Sequence, residues 1–168
     1  MIDIRQFESI KKKHSAYASW AVWAGASDEP KSNIGNIDHF KSKSVLPRLR
    51  NDVVMVGVNI SRPLSEPFRN VHGLHSGAND FKIRYAFTGS VYYGAYMTDI
   101  IKFFREVDSK KVMEKLRKRR DISEQNVRLF QEEMKDLQAT APVILAFGGK
   151  HVQTIKRTLA KECLREAD

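Results

Sequence analysis

At 168 residues the chain is long enough for one domain with a sizeable core and short for two. Its 42% apolar content is that of a globular protein, no stretch approaches the roughly 18 uninterrupted apolar residues of a membrane span, and a single cysteine, Cys163, excludes an internal disulfide and any four-cysteine zinc or iron–sulfur centre built by this chain alone. The 29 lysines and arginines against 20 acidic residues leave a net charge of +9, which favours a polyanionic partner, nucleic acid first, over an acidic or purely apolar one.

The opening residues, Met1-Ile2-Asp3-Ile4-Arg5-Gln6-Phe7, lack the basic-then-apolar order of a secretory signal, so a cytoplasmic protein is expected. Ile4, Phe7 and Ile10 stand at helical spacing with basic residues between them, predicting an amphipathic helix over 4–13 that covers one edge of a sheet. Residues 17–24 are aromatic and β-branched enough for a strand; Trp20 and Trp23 stack bases if exposed and fill the core if not. Residues 25–36 read as a surface loop, and 37–49 as a helix interrupted by Pro47. Residues 61–79, with Pro63, Pro67, His72, Gly73, His75 and Gly77, form the longest irregular stretch, the kind that in a compact domain is functional or mobile. No cysteine or carboxylate near His72 and His75 completes a ligand set, so no metal is expected. Residues 81–87 alternate apolar and basic side chains and suit an edge strand or a helical turn equally. A strand follows within 92–104, then a strongly basic helix over 110–120 with Val112, Met113 and Leu116 on its apolar side. Asp121 or Ser123 caps a further helix that buries Val127, Phe130, Met134 and Leu137. Residues 143–147 make another strand, and Gly148-Gly149 turns into a last helix carrying Val152, Ile155, Leu159 and Cys163 on one face. The basic runs Lys11-Lys12-Lys13, 41–50 and 110–120 are candidate phosphate-contacting faces or simply solvated ones.

The chain is organised around Val53-Val54-Met55-Val56-Gly57-Val58-Asn59-Ile60-Ser61, a β-branched run that breaks on a glycine and then presents an asparagine and a serine. Such a run reads as a buried strand of a parallel sheet, whose carboxyl end carries the ligand in open α/β folds. The strands within 92–104 and 143–147 bring their ends to the same rim.

Gly57-Val58-Asn59-Ile60-Ser61, followed by Ala95-Tyr96-Met97-Thr98-Asp99-Ile100-Ile101-Lys102 and Pro142-Val143-Ile144-Leu145-Ala146-Phe147-Gly148, resembles the uracil-DNA glycosylase superfamily in order and spacing over residues 53–164. The family's first motif is similar to Gly-x-Asn-Pro-Gly, here with Ile60 and Ser61 in the last two places, and its next strand is similar to Val-Tyr-Ile-Thr-Asn-Val-Val-Lys, here with Asp99 in place of asparagine. The resemblance implies a single domain over 1–168, a three-layer sandwich with a central, mainly parallel sheet flanked by helices. It further implies DNA or another nucleic acid as partner, a base flipped into a pocket, and hydrolysis of its N-glycosidic bond without a cofactor. On that reading Asn59 orients the attacking water, Gly57, Phe68 and Asp99 contact the base, and Ser61, Lys102, Gly148 and Lys150 contact the strand. Phe68 serves equally well as a loop hydrophobe plugged into the core.

Two departures open an alternative. Ionised Asp99 only accepts hydrogen bonds, so it suits the exocyclic amine of cytosine or adenine rather than uracil O4, or else holds a basic side chain and reads no base. The family's terminal His-containing motif has no counterpart before Asp168, so the chain is either a fragment or has lost that step. The alternative is a non-catalytic nucleic-acid or nucleotide-binding module of the same fold. A third class, an unrelated enzyme acting on phosphorylated small molecules, would use the amides after Gly57 or Gly148 as an anion site, but no Walker lysine, Gly-x-Gly-x-x-Gly or Gly-x-Ser-x-Gly pattern is present.

Overall fold

A computed structural model describes residues 2–73, 75 and 78–147. The first helix, α1 (Ile4–Lys13), forms as the apolar spacing predicts. Asp3 caps it by accepting from the Gln6 amide at 2.8 Å, and three lysines in its last turn meet the negative end of the helix dipole. The chain then runs through β1 (Ser19–Trp20), two short 3₁₀ helices (Asp38–Lys41 and Lys43–Arg48), β2 (Val53–Asn59), α2 (Asp80–Phe87), β3 (Tyr96–Ile101), α3 (Ser109–Lys118), α4 (Arg120–Asp136) and β4 (Val143–Ala146).

The strands form one mixed sheet in the order β1-β3-β2-β4, with β2 parallel to both β3 and β4 and with β1 antiparallel on the edge beside β3. The three apolar runs read from the sequence therefore share one sheet. Helices cover both faces. Val54, Val56 and Tyr96 meet Phe7 and Ile10 of α1 and Phe130 of α4 on one face, while Val53, Met55 and Met97 meet Phe87 and the half-buried Phe81 and Ile83 of α2 on the other.

Several expectations are corrected here. The first helix lies over a face of the sheet, its Phe7 ring 5.7 Å from that of Trp20, rather than along an edge. The strand expected over 17–24 pairs over only two residues, although Ala21 still exchanges backbone bonds with Gly94 and Ala95. Trp20 and Trp23 are both buried, which settles them as core. Residues 37–49 form two 3₁₀ helices rather than one broken α-helix, with Pro47 inside the second. The 81–87 segment is helical. Neither Asp121 nor Ser123 caps α4: the helix begins at Arg120, and Asp121 instead accepts two bonds from Arg119, at 2.9 and 2.6 Å. The expected helix after Gly148-Gly149 lies outside the described residues.

Candidate functional site

The chain leaves β2 for α2 on one face and leaves the adjacent β3 for α3 and α4 on the other, so the sheet has a topological switch between these two strands. Ligand crevices open at such points, outside the carboxyl ends of the strands. A cavity of about 440 Å³ lies there, walled by Met55, Gly57 and Asn59 of β2, Asp99 of β3, the 60–73 segment and Phe147. Its size is within the range of about 300–1,000 Å³ typical of small-molecule sites.

Asp99 is the chemical centre of this cavity. Its residue is 8% exposed, and Oδ2 accepts a 2.9 Å bond from Asn70 Nδ2, which also donates to the Tyr17 carbonyl at 2.9 Å. Among the described residues no cation pairs with the carboxylate. Burial raises its pKa from 3.8 to about 6, against the pull of the Asn70 bond and the Lys102 charge and with help from Glu133 and Asp80. Gly57 stands directly opposite Asp99 in the parallel ladder. A Cβ on Gly57 would lie 3.2 Å from Asp99 Cγ and overlap Oδ1, so the absence of a side chain there is what gives the carboxyl its place.

Asn59 lines the same cavity, two residues further along β2. Its amide nitrogen donates to the Phe104 and Glu106 carbonyls, at 3.3 and 2.8 Å, and so ties the end of β2 to the segment leaving β3. Among the described residues nothing donates to its Oδ1, which is the atom able to accept from a water. Ser61 also lines the cavity.

Phe68 and Lys102 do not stand where the resemblance put them. The Phe68 ring packs in the core, 5.2 to 5.5 Å from the rings of Phe40, Trp20 and Phe7, away from the cavity. Burying it among three other rings outweighs any exposed stacking role. Lys102 Nζ is fully buried, bonded to Glu133 at 2.5 Å and to Thr98 at 2.6 Å, and touches no surface. Gly148 and Lys150 lie outside the described residues.

The structure adds residues the sequence reading passed over. Asn70 holds Asp99, Phe147 supplies an aromatic side chain to the wall, Asp80 accepts the Gly73 amide at 2.6 Å, and Arg62 and Arg69 stand on the lining. Phe147 had a signal, since it ends an apolar strand whose neighbours were expected at the rim. Asn70 had none, because nothing local in the 61–79 stretch distinguishes it.

The 60–73 segment beside the cavity is built under strain. Phe68 and Val71 both have φ near 60°, unfavourable for any side chain and most so for β-branched valine. Each costs on the order of 1–3 kcal/mol and persists only where surrounding bonds over-determine it. Here the Phe68 amide donates to the Ser15 carbonyl, the Phe68 carbonyl accepts from Ser19 Oγ, and the Val71 carbonyl accepts from Trp23 Nε1. Strained backbone of this kind concentrates at functional sites.

His72 is buried against Ser19 Oγ and the Trp20 carbonyl, and burial, with the nearby His39, lowers its pKa from 6.5 to about 3. Among the described residues no group of three His, Cys, Asp or Glu side chains is placed to hold a metal, and no helix is long and apolar enough to cross a membrane. Several cations of the basic runs already have acidic partners: Lys13 with Asp136, Lys41 with Asp38, and Lys118 with Glu114.

The fold thus defines an α/β protein whose four-stranded mixed sheet opens a crevice at its switch point. No family model matches the chain, and no curated protein and no solved structure matches it.

Proposed function

We propose that the protein takes a nucleobase of a nucleic-acid strand into this cavity and hydrolyses its N-glycosidic bond, as a divergent protein of the uracil-DNA glycosylase type. One observation carries the reading: a buried carboxylate with no cation paired to it among the described residues, Asp99, forms part of the wall of a cavity at the carboxyl ends of two parallel strands. Perturbed carboxylates in clefts mark functional sites.

With Oδ2 held by Asn70, Asp99 offers an acceptor to the exocyclic amine of cytosine or adenine, and Phe147 supplies an apolar surface for the ring. Arg62 is the cation of the lining suited to a phosphate, since Arg69 already pairs with Glu66 and donates to the Gly35 carbonyl. Water attacks the anomeric carbon while the base departs with the bonding electrons, and the proton the water loses ends on the departed base, leaving a sugar hydroxyl and the free base. Asn59 Oδ1 orients that water but takes no proton from it, so the rate rests on stabilising the departing base. The engagement of the Asn59 amide with Phe104 and Glu106 favours a second reading, a binding module of the same fold that recognises a base without cleaving it.

The test is base release and binding on labelled oligonucleotides carrying single modified or normal bases. Asp99→Asn restores a donor for a carbonyl edge, and a mispaired buried bond is worth about 1–3 kcal/mol, so preference shifts from amine-bearing bases toward uracil by roughly ten- to a hundredfold. Binding without release from any substrate leaves the module; neither binding nor release removes both readings.

A further inference from the structure

A second cavity lies on the other side of α2, and the way it is built points to a ligand. Asp80 and Ile83 of α2 line the base cavity, whereas Phe81, Lys82, Arg84 and Tyr85 of the same helix line a groove of about 900 Å³ against residues 23–30. Arg84 fixes the opposite wall. It is 6% exposed and donates to the carbonyls of Ala24 at 3.3 Å, Ser32 at 2.7 Å and Pro30. No described carboxylate pairs with it, and burial lowers its pKa. A buried guanidinium spent on three loop carbonyls holds residues 24–32 in place, so the groove is preformed rather than a gap between mobile chains.

The surface of the groove is aromatic and cationic. Tyr85 is 87% exposed, the most exposed large apolar side chain among the described residues, and Tyr93 and Trp23 contribute to the same lining. Lys82 stands on the lining, 5.9 Å from the centre of the Phe81 ring, with Asp28 the acidic residue of that lining. Rings for stacking with a lysine beside them form the combination that binds unpaired nucleotides without reading sequence. An aromatic groove also suits a proline-rich peptide, but Lys82 on the lining and the net charge of +9 favour a polyanion. The two cavities are separated by the width of α2, about 10–12 Å, which a strand leaving the base cavity crosses within a few nucleotides.

We propose that this groove holds an unpaired nucleotide flanking the base in the first cavity, with its base on Tyr85 and its phosphate at Lys82. The proposal rests on the reading of the first cavity as a base site, and the two are separable by experiment. Fluorescence anisotropy with a labelled oligothymidylate tests the groove alone, because thymine has no exocyclic amine for Asp99 to read. Tyr85→Ala weakens single-strand binding roughly five- to a hundredfold, Tyr85→Phe retains it, and Lys82→Gln lowers the slope of log affinity against log salt by about 0.7. Both side chains are exposed, so neither change threatens the fold. Free cytidine, titrated against the protein and its Asp99→Ala variant, tests the first cavity without the groove. If cytidine binds through Asp99 while Tyr85→Ala and Lys82→Gln leave oligothymidylate affinity unchanged, the groove proposal is overturned and the base site stands. If cytidine does not bind and Tyr85→Ala still weakens oligothymidylate, the base site falls and the groove remains a strand-binding site. Oligothymidylate that fails to bind at low salt, or a proline-rich peptide that occupies the groove in its place, also overturns the proposal.

Discussion

Replacing Asp99 by asparagine stabilises the protein at neutral pH and makes it acid-sensitive. The folded carboxyl has a pKa of about 6 against an ordinary 3.8, so the folded state holds the proton more tightly and gains stability as pH falls from 6 towards 3.8. Above pH 6 that gain is absent, and keeping the charge buried costs about 3 kcal/mol at most, less where cavity water reaches the oxygen. The amide introduced by Asp99→Asn keeps an acceptor for Asn70 and carries no charge, so the variant gains about 1–3 kcal/mol at pH 7. His72 works in the opposite sense: its pKa is about 3 when folded and 6.5 when exposed, so the unfolded chain takes up the proton first and stability falls as pH drops from 6.5 to 3. Between about pH 4 and 6 the two slopes cancel in the native protein, each being about 1.4 kcal/mol per pH unit. In Asp99→Asn the His72 slope is unmasked. Urea unfolding of both proteins at closely spaced pH values measures the difference, in which all other groups drop out. Identical slopes in the two proteins, or a destabilised variant at pH 7, would refute the reasoning.

Gly57→Ala forces the Asp99 carboxyl aside and costs about 1–3 kcal/mol; the same change made on an Asp99→Ala background costs much less, which a double-mutant cycle in urea detects. Glu133→Gln leaves the Lys102 ammonium buried without its counter-charge and destabilises by about 3–5 kcal/mol, whereas the double change Lys102→Met with Glu133→Leu recovers only part of that loss, because the buried Tyr96 and Thr98 hydroxyls lose their acceptor, as urea unfolding of the three proteins measures. Gly94→Ala meets both a φ of 83° and the Arg48 carbonyl, so it fails to fold or melts well below the native protein in a thermal scan.

Where the apolar spacing is regular the sequence and the structure agree closely. The helix at 4–13 buries one apolar stripe and the strand at 53–59 is apolar on both faces, between two strands, so in each the local pattern matches the surroundings and determines local structure. The segment at 80–87 was ambiguous because Phe81, Ile83, Tyr85 and Phe87 alternate with polar residues like a strand. The long-range bonds of Arg84 to residues 24, 30 and 32 belong to the helical form, and no short window contains them. The same limit explains Lys102, expected to contact the nucleic-acid strand. Its partner, Glu133, sits 31 positions later, though on the buried stripe of α4 between Phe130 and Leu137. A carboxylate on an apolar stripe is itself a signal that a buried cation must meet it. Phe68, left open between a base contact and the core, takes the core alternative: the backbone there has φ 60°, a turn that spacing does not encode, and the ring packs among Phe7, Trp20 and Phe40.

Asp99 within β3 and Lys102 just past its end show two different solutions to a buried charge in one short stretch of chain. On the α4 side, Lys102 meets Glu133, whose two oxygens are further bonded to the Tyr96 hydroxyl at 2.7 Å and the Thr98 hydroxyl at 3.1 Å. Every strong polar atom of that cluster is used within the fold, so the cluster holds β3 to α4 and has nothing left for a ligand. On the α2 side Asp99 receives one amide donor among the described residues and no cation, and it stands in a cavity wall opposite a glycine that makes room for it. A fold able to satisfy one buried charge fully had the same means available for the other. A carboxylate left half-satisfied, at a cost in stability and beside strained backbone, has an oxygen open to an external hydrogen-bond donor, a cavity water or a ligand. On the proposed function that donor is the ligand, and the exocyclic amine of a nucleobase would meet the requirement with one N–H directed at the remaining oxygen.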